Sequence, residues 1–530
     1  METMATVWDL PPEILARIFT SYHDESLDPS TLPNNLPRPC LRVTWVCRYW
    51  RNVALATPAI WSTIQIFQRT QADTVRAFLE RSAQAALNIQ IDSHQLTHCG
   101  DAVRYVLPSL VRARCLSIDL SPQELESLVC SDQLPSSAPL LEIFRFAAQE
   151  DQYEAGARLA PSFAFHNCAV PNLRQLILST PAEVLWSDGT LPQSLQSLTV
   201  TCTVQRDQVS HIVRLISALP LLTFLELSFR SIGPYTLSPT SGNPTPQKPN
   251  LKQFHVAAEP NPSTAIELIG AFATAGQTSI TVCFRDVMYH STLYELSSTF
   301  ASHLSAGAAT DSQWITVQTL SLSPKRIQFF KRESSQMSLS NPDLEIAHKN
   351  GRICRNLLEN LFPDLPLEDV SVLILQGVPV HPYDSRSGAS TKYVWHHFFH
   401  RVSRVHTLVL MPEKQVRYGD SSVESLRAVA AAQLIRTLLS FTAGVFCRTS
   451  GQTYPIVPVL LNLRRIVMDG VTFYDGMSTV DVVVTCCRVM LWVGLKLEEL
   501  EIRNCRVDAG VVTILRMQQP IPVLWDGKER

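Results

Sequence analysis

The chain has 530 residues, 45% of them apolar and 17% charged, a composition too hydrophobic for wholesale disorder and long enough for an extensive buried core. Its 45 basic and 47 acidic side chains nearly cancel to a formal net charge of −2, so no long-range field favours nucleic acid or an anionic membrane. The 13 cysteines lack paired metal-ligand spacing, and Cys486-Cys487 has no second pair nearby, so neither a zinc site nor a disulfide framework is indicated. Reduced, mostly buried thiols are expected.

The stretch Met1 to Asp9 contains acids and no apolar run, unlike a secretory signal. No uninterrupted segment reaches the ~20 apolar residues of a membrane helix; Arg488 interrupts even Val482 to Leu495. Cytosol or nucleus is the expected compartment, with no membrane partner.

A short helix is predicted to start in Leu10-Pro11-Pro12-Glu13-Ile14-Leu15. Proline is tolerated where a helix has no partner for its first amides, and Glu13 sits at the positive end of the dipole. Ile14 with Ile18, and Leu15 with Phe19, are i,i+4 pairs, so the helix is apolar around much of its circumference and one side needs a partner. A proline-rich stretch, Asp28 to Pro39, reads as an exposed loop. A second helix is predicted from Leu41 to Thr57, with Val46, Trp50 and Val53 on one stripe, Trp45 and Tyr49 beside it, and Pro58 ending it.

These elements resemble the F-box family. Leu-Pro-x-Glu-Ile-Leu at Leu10 to Leu15, Ile18-Phe19, Val46-Cys47-Arg48-Tyr49-Trp50, Pro58 and Trp61 occur in the family's order. The resemblance covers about the first tenth of the chain, and the longer loop between the helices is a feature it shares with F-box-like proteins of filamentous fungi. What it implies is a helical module over residues 1–66 that docks on the Skp-type adaptor of a cullin ubiquitin ligase, with Leu10, Pro11, Ile14, Leu15, Ile18 and Val46 as contacts.

Beyond that module one template recurs: apolar, two variable residues, apolar, one variable residue, apolar. It reads Ala113 to Ile118, Leu141 to Phe146, Leu173 to Leu178, Leu195 to Val200, Leu222 to Leu227, Leu251 to Val256 and Val317 to Leu322, then Val370 to Leu375, Val405 to Leu410, Leu463 to Met468 and Leu497 to Ile502. Early copies lie roughly 22 to 32 residues apart, with a helix such as Ala72 to Arg81 between strands, and resemble leucine-rich repeats. Units of this kind cannot bury an apolar face alone and stack to share one. The expected fold is therefore α/β: a short all-α F-box followed by an irregular leucine-rich-repeat-like α/β solenoid over residues 67–530, with loop insertions near 233–249 and 381–390. The asparagine that should follow each strand is mostly absent, Pro181, Thr203 and Arg230 standing in its place, while Cys505 is an acceptable match. A conventional α/β domain with the same alternation is the rival reading.

In a solenoid, the residue between the last two apolar positions projects from the strand face and is available to a ligand. Arg145, Ile177, Thr199, Glu226, His255 and Glu501 are the candidate target-binding residues, and Ile374, Val409 and Val467 share their template position. The mixture of charges and apolar groups suits a protein or peptide rather than a polyanion. Two basic pairs, Lys325-Arg326 and Lys331-Arg332, read as a solvated loop that could otherwise meet an acidic or phosphorylated segment.

His396 and His400 have the i,i+4 separation of a shared metal, but no glutamate follows His396 and aromatic residues flank the pair, so no metal site is assigned. There is no nucleophile elbow, phosphate loop or dinucleotide fingerprint, and no cofactor or catalytic residue is assigned. The function expected is the substrate-recognition subunit of a Skp-cullin-F-box ubiquitin ligase, holding an unknown protein target and performing no chemistry itself. A non-degradative interaction scaffold on the same parts is the alternative.

Overall fold

The structure is a computed structural model that describes residues 10–25, 39–67, 69–92, 99–120, 135–148, 158–159, 168–184, 191–204, 206–231, 251–259, 278–284, 296–301, 319–322, 326–330, 344–348, 365–376, 398–411, 460–470, 496–505, 507–518 and 521–527, with a few single positions between them. The chain forms two units, Met1–Asn250 and Leu251–Arg530. A helical N-terminal region is followed by mixed α/β structure with parallel sheets.

The first unit begins with α1 (Pro12–Glu25), α2 (Pro39–Val46), α3 (Arg48–Leu55) and a 3-10 turn (Pro58–Trp61). Then come β1 (Thr63–Phe67), α4 (Ala72–Arg81), β2 (Leu87–Asp92), α5 (Gly100–Val106), β3 (Ala113–Asp119), β4 (Ile143–Ala147), β5 (Arg158–Leu159), β6 (Gln175–Val184), β7 (Ser197–Val204), α6 (Arg206–Ser217) and β8 (Phe224–Ser231). Strands β1, β2, β3, β4, β6, β7 and β8 each run parallel to the next, and β5 adds to the far end of β6.

Register explains why these strands stack. Ile64, Ile89, Leu116, Phe144, Leu176, Leu198 and Leu225 form one column of register partners, and Ile66, Ile91, Ile118, Phe146, Leu178, Val200 and Leu227 a second. All are buried. Alternation then sends Gln65, Gln90, Ser117, Arg145, Ile177, Thr199 and Glu226 to the opposite face as a third column, exposed or half-buried.

In several copies the first apolar residue of the template closes a turn. The amides of Leu141, Leu173 and Leu195 bond the carbonyls of Ala138, Val170 and Pro192 at 3.2 Å, and all three leucines are buried. The next residue stitches each copy to the one before. Glu142 N donates to Arg114 O (2.9 Å), Arg174 N to Glu142 O (2.8 Å), Gln196 N to Arg174 O (2.8 Å) and Thr223 N to Gln196 O (2.9 Å).

The second unit holds β9 (Gln253–Glu259), β10 (Ser279–Phe284), β11 (Thr319–Leu322), β12 (Arg326–Phe330), β13 (Leu344–His348), β14 (Val372–Gln376), β15 (Thr407–Met411), β16 (Arg465–Asp469), β17 (Glu499–Arg503), α7 (Ala509–Gln518) and β18 (Val523–Trp525). Spatial order is β9, β10, β13, β12, β11, β14, β15, β16, β17, β18. All pairs are parallel except those of β12, which is antiparallel to both neighbours. The connection from β11 to β12 is too short for a parallel crossover. The closing turn recurs here at Val370, Val405 and Leu463, whose amides bond Leu367, Val402 and Leu460 carbonyls at 3.2, 3.2 and 3.0 Å.

One expectation is corrected in this unit. Ile374, Val409 and Val467 do not project freely: they are buried with Val372, and the half-buried Met411 packs against them. Their strands are also buried on the other face, through Leu373, Leu375, Leu408, Leu410, Ile466 and Met468. Strands buried on both sides need continuous apolar runs, which is what Val372 to Leu375 and Ile466 to Met468 supply.

The expected insertions at 233–249 and 381–390, the loop from Asp28 to Arg38, and His396, Lys325, Lys331 and Arg332 lie outside the described residues. The expected division at residue 66 falls inside β1, whose Phe67 still pairs with Asp92 of β2.

The face assignment predicts unequal costs for neighbouring substitutions. Leu198→Ala should destabilise by about 2–5 kcal/mol, and Thr199→Ala by about 0.5 kcal/mol or less. Urea midpoints of the two variants measure this, and equal losses would contradict the assignment.

Candidate docking surfaces

The helical module is built around the inner side of α1. The amides of Ile14 and Leu15 bond Pro11 O at 3.0 and 3.2 Å, so the first turn forms directly behind the proline pair. Leu15 and Phe19 point inward, and Phe19 meets the Trp50 ring at 5.0 Å between centroids. Val53, Ala54, Ile60 and Trp61 complete the core, with Trp61 Nε1 donating to Ala54 O at 2.8 Å.

The predicted helix from Leu41 to Thr57 is two helices. Cys47 is extended (φ −159°, ψ 173°) and its Sγ accepts from Trp50 N at 3.4 Å, capping α3 and breaking it from α2. Tyr49 Oη donates to Leu10 O at 2.7 Å, which holds the start of α3, and with it the end of α2, against the entry to α1.

What this frame leaves outside is apolar. Ile14 is 41% exposed and Ile18 46%, one turn apart on α1; Trp45 is 63% and Val46 59% exposed at the end of α2. Pro11 and Pro12 are exposed as well. Of the six expected contacts, Pro11, Ile14, Ile18 and Val46 are open to a partner and Leu10 is half-buried, while Leu15, at 1% exposed, belongs to the core. Trp45 is the residue that the sequence reading passed over. Its signal was a large aromatic next to Val46, at a position where Val43 and Thr44 take the inward places. Large apolar groups left exposed on α1 and at the end of α2 mark an interaction surface.

Residues 7–66 match the family model described as F-box-like. The chain carries an F-box-like domain. F-box domains bind Skp-type adaptors in Skp-cullin-F-box ubiquitin ligases, and proteins built on them are typically non-enzymatic adaptors. No curated protein matches the chain. The F-box-like domain is fixed to the sheet that follows: Trp61 packs edge-on against Phe78 of α4 (5.2 Å), the Arg81 guanidinium lies 4.6 Å over the Trp61 ring, and the His23 Nε2 lies 3.1 Å from Thr63 Oγ1 of β1.

The expected target-binding residues fall into two groups. Arg145, Ile177, Thr199 and Glu226 are register neighbours on β4, β6, β7 and β8. Arg145 is exposed and the other three half-buried, with Thr199 Oγ1 donating to Glu226 at 3.4 Å. His255 and Glu501 belong to the second unit. His255 is half-buried in register with Thr281. Glu501 is already engaged within the chain, accepting from Arg503 Nη2 at 2.8 Å and ion-paired with Arg465, which also meets Glu499 at 2.5 Å.

Two carboxyls in this cluster respond oppositely to folding. Burial pushes Glu501 up, but the hydrogen bonds from Arg503 and Arg465 outweigh it and hold the group below its usual range. Burial pushes Asp469 up, and Asn504, whose Nδ2 donates at 3.1 Å, and the charge of Arg503 recover only part of that. Among the described residues, Asp469 Oδ2 has no hydrogen-bond partner.

Among the described cysteines, burial pushes the thiols of Cys115, Cys168 and Cys202 up, and that of Cys487 up to about 12. Such thiols are protonated at neutral pH and poor nucleophiles. His400 is exposed, whereas Phe398 and Phe399 are buried and tilted against one another at 5.4 Å.

Asp469 gives a pH signature. Its raised pKa means that the folded state takes up the proton first, so this group adds stability as pH falls through its folded value; Glu501, with a lowered pKa, loses its contribution as pH falls through its own. Asp469→Asn should therefore raise stability at pH 7 and remove the gain on mild acidification. Urea unfolding at pH 7 and pH 5 checks this, and a variant less stable at pH 7 would contradict the burial argument.

Proposed function

We propose that this chain is the substrate-recognition subunit of a Skp-cullin-F-box ubiquitin ligase, docking the adaptor through the F-box-like domain and holding a target protein on the strand-built region. The observation that carries the reading is the exposure of the apolar side chains Pro11, Ile14, Ile18, Trp45 and Val46 within the matched residues. Large aromatic and aliphatic groups at the centre of an interface supply most of its binding energy. A leucine-rich-repeat-like solenoid is the reading of the strand region that we favour. It is supported by the strand in every template copy and by the recurrence of the same turn and the same stitch in the majority of copies. Cys505, at the place a repeat asparagine would take, donates its thiol to Met468 O of the preceding strand at 3.3 Å.

In this role catalysis is by proximity. Tethering raises the effective concentration of the target near the ubiquitin-loaded enzyme, so the chain supplies binding and geometry rather than an acid, base or nucleophile. The cytoplasm or nucleus is the setting this requires.

Point variants test the reading better than truncation at residue 67, which would cut through β1. Ile14→Asp with Trp45→Ala should weaken binding of the purified Skp-type adaptor at least tenfold, about 1.4 kcal/mol, with an unchanged unfolding temperature because both side chains lie outside the core. Unchanged adaptor affinity in the folded double variant, or no binding by the intact chain, would overturn the assignment. A bound partner whose turnover is the same with wild type and variant would assign a scaffold role instead.

A further inference from the structure

We propose that the sheet face around Arg145 receives an extended segment of the target protein through a carboxylate side chain on that segment. The inference rests on the receptor reading above and names the chemistry that reading leaves open. On the open face of the first unit, three register columns run from β1 to β8. One is the column of Gln65, Ser117, Arg145 and Glu226, and the others pass through Asn88, Cys115 and Gln175 and through Asp92, Asp119 and Ser179. With strands about 4.8 Å apart, these columns extend about 29 Å, the length of an extended peptide of eight or nine residues.

Among the described residues, Arg145 is the uncommitted cation in these three columns. It is exposed and makes no hydrogen bond or ion pair, whereas Arg114 on the neighbouring strand pairs with Glu142 at 3.1 Å and Glu226 accepts from Thr199. Two of its neighbours are aliphatic. Ile143 lies two residues back on the same side of β4, and Ile177 is its register partner on β6; both are half-buried. The charge of Arg145 reaches Cys115, where it works against the burial that raises the thiol. A guanidinium beside two half-buried isoleucines can offer a carboxylate a charge-assisted bond. The amides and hydroxyls around it, among them Gln90, Ser117, Gln175 and Ser179, suit the polar backbone of an extended segment.

The same face argues for a single carboxylate rather than a phosphate group. Its columns hold three carboxylates, Asp92, Asp119 and Glu226, against the one guanidinium. Asp119 is the register partner of Ala147, two residues from Arg145, which puts it about 8 Å away by strand geometry. A phosphate group carrying close to two charges would be repelled there about twice as strongly as a monoanion and would find no second arginine in the columns, while a single carboxylate needs Arg145 alone.

The probe is a degenerate peptide library with acidic, phosphorylated and neutral residues varied at each position, applied to the intact chain. Wild type should enrich Asp or Glu at one position. Arg145→Glu should lower that enrichment at least tenfold and select Lys or Arg there, while Arg214→Glu, on α6, leaves the selection unchanged. No selection by wild type, the same acidic selection with Arg145→Glu, or a preference for phosphoserine would overturn the proposal. Adaptor affinity measured on the same preparations separates the two readings. Arg145→Glu should keep the wild-type value, and failure of wild type to bind the adaptor would sink the receptor reading, not the peptide chemistry.

Discussion

A strand with one covered face can hide only every second side chain, and the described strands of the first unit are organised around that limit. Two apolar residues per strand, at the fourth and sixth template positions, must meet the same two positions on the neighbouring strand, or every side chain turns to the wrong face. In the first unit the columns of Ile64 to Leu225 and Ile66 to Leu227 satisfy this over seven strands. In most copies the first template position closes the turn before the strand or the residue after it donates its amide to the previous copy. Each copy is therefore held by its neighbour rather than by itself, and burial of each large apolar side chain contributes about 1.5–3 kcal/mol only when that neighbour is present.

Sequence spacing made much of this visible, since each of the eleven template segments contains part or all of a strand. What spacing could not show is direction and cover. β12 has no template at all: Arg326 to Phe330 reads only as a short aromatic run, and it is antiparallel because its connection is short. The burial of Ile374, Val409 and Val467 did have a signal. In β3 to β8 the residue between the apolar pair is polar at every strand but β6, whereas β14 to β16 place aliphatic residues there and present unbroken apolar runs. Alternation marks a strand with one wet face, and its loss marks a strand with none.

The helical module was legible at its ends and less so between them. Pro11, Pro12 and Glu13 announce α1, and Pro58 ends the second helical stretch. Cys47 carries no breaker signal, yet its extended backbone divides that stretch, and the division decides which way Trp45 and Val46 face. Leu15 shows the opposite error: its motif position suggests contact with a partner, but an i,i+4 pairing with Phe19 on the side of Trp50 and Val53 makes it core. A motif identifies a module, whereas exposure follows from how its helices are turned against one another.

Within the first unit, the exposed apolar residues of α1 and α2, which we propose face the adaptor, and the open sheet face are parts of one packed body, joined by Trp61, Phe78 and the His23 to Thr63 contact. A receptor needs that property, because the direction in which a target is presented is then set by the fold. Hydroxyl-radical footprinting of the intact chain with and without saturating Skp-type adaptor would test the claim most directly. Ile14, Ile18 and Trp45 should lose reactivity on adaptor binding while Leu221, exposed in the turn before β8, keeps its own. A Trp45 that stays reactive in the saturated complex, or protection centred on the sheet, would contradict the account.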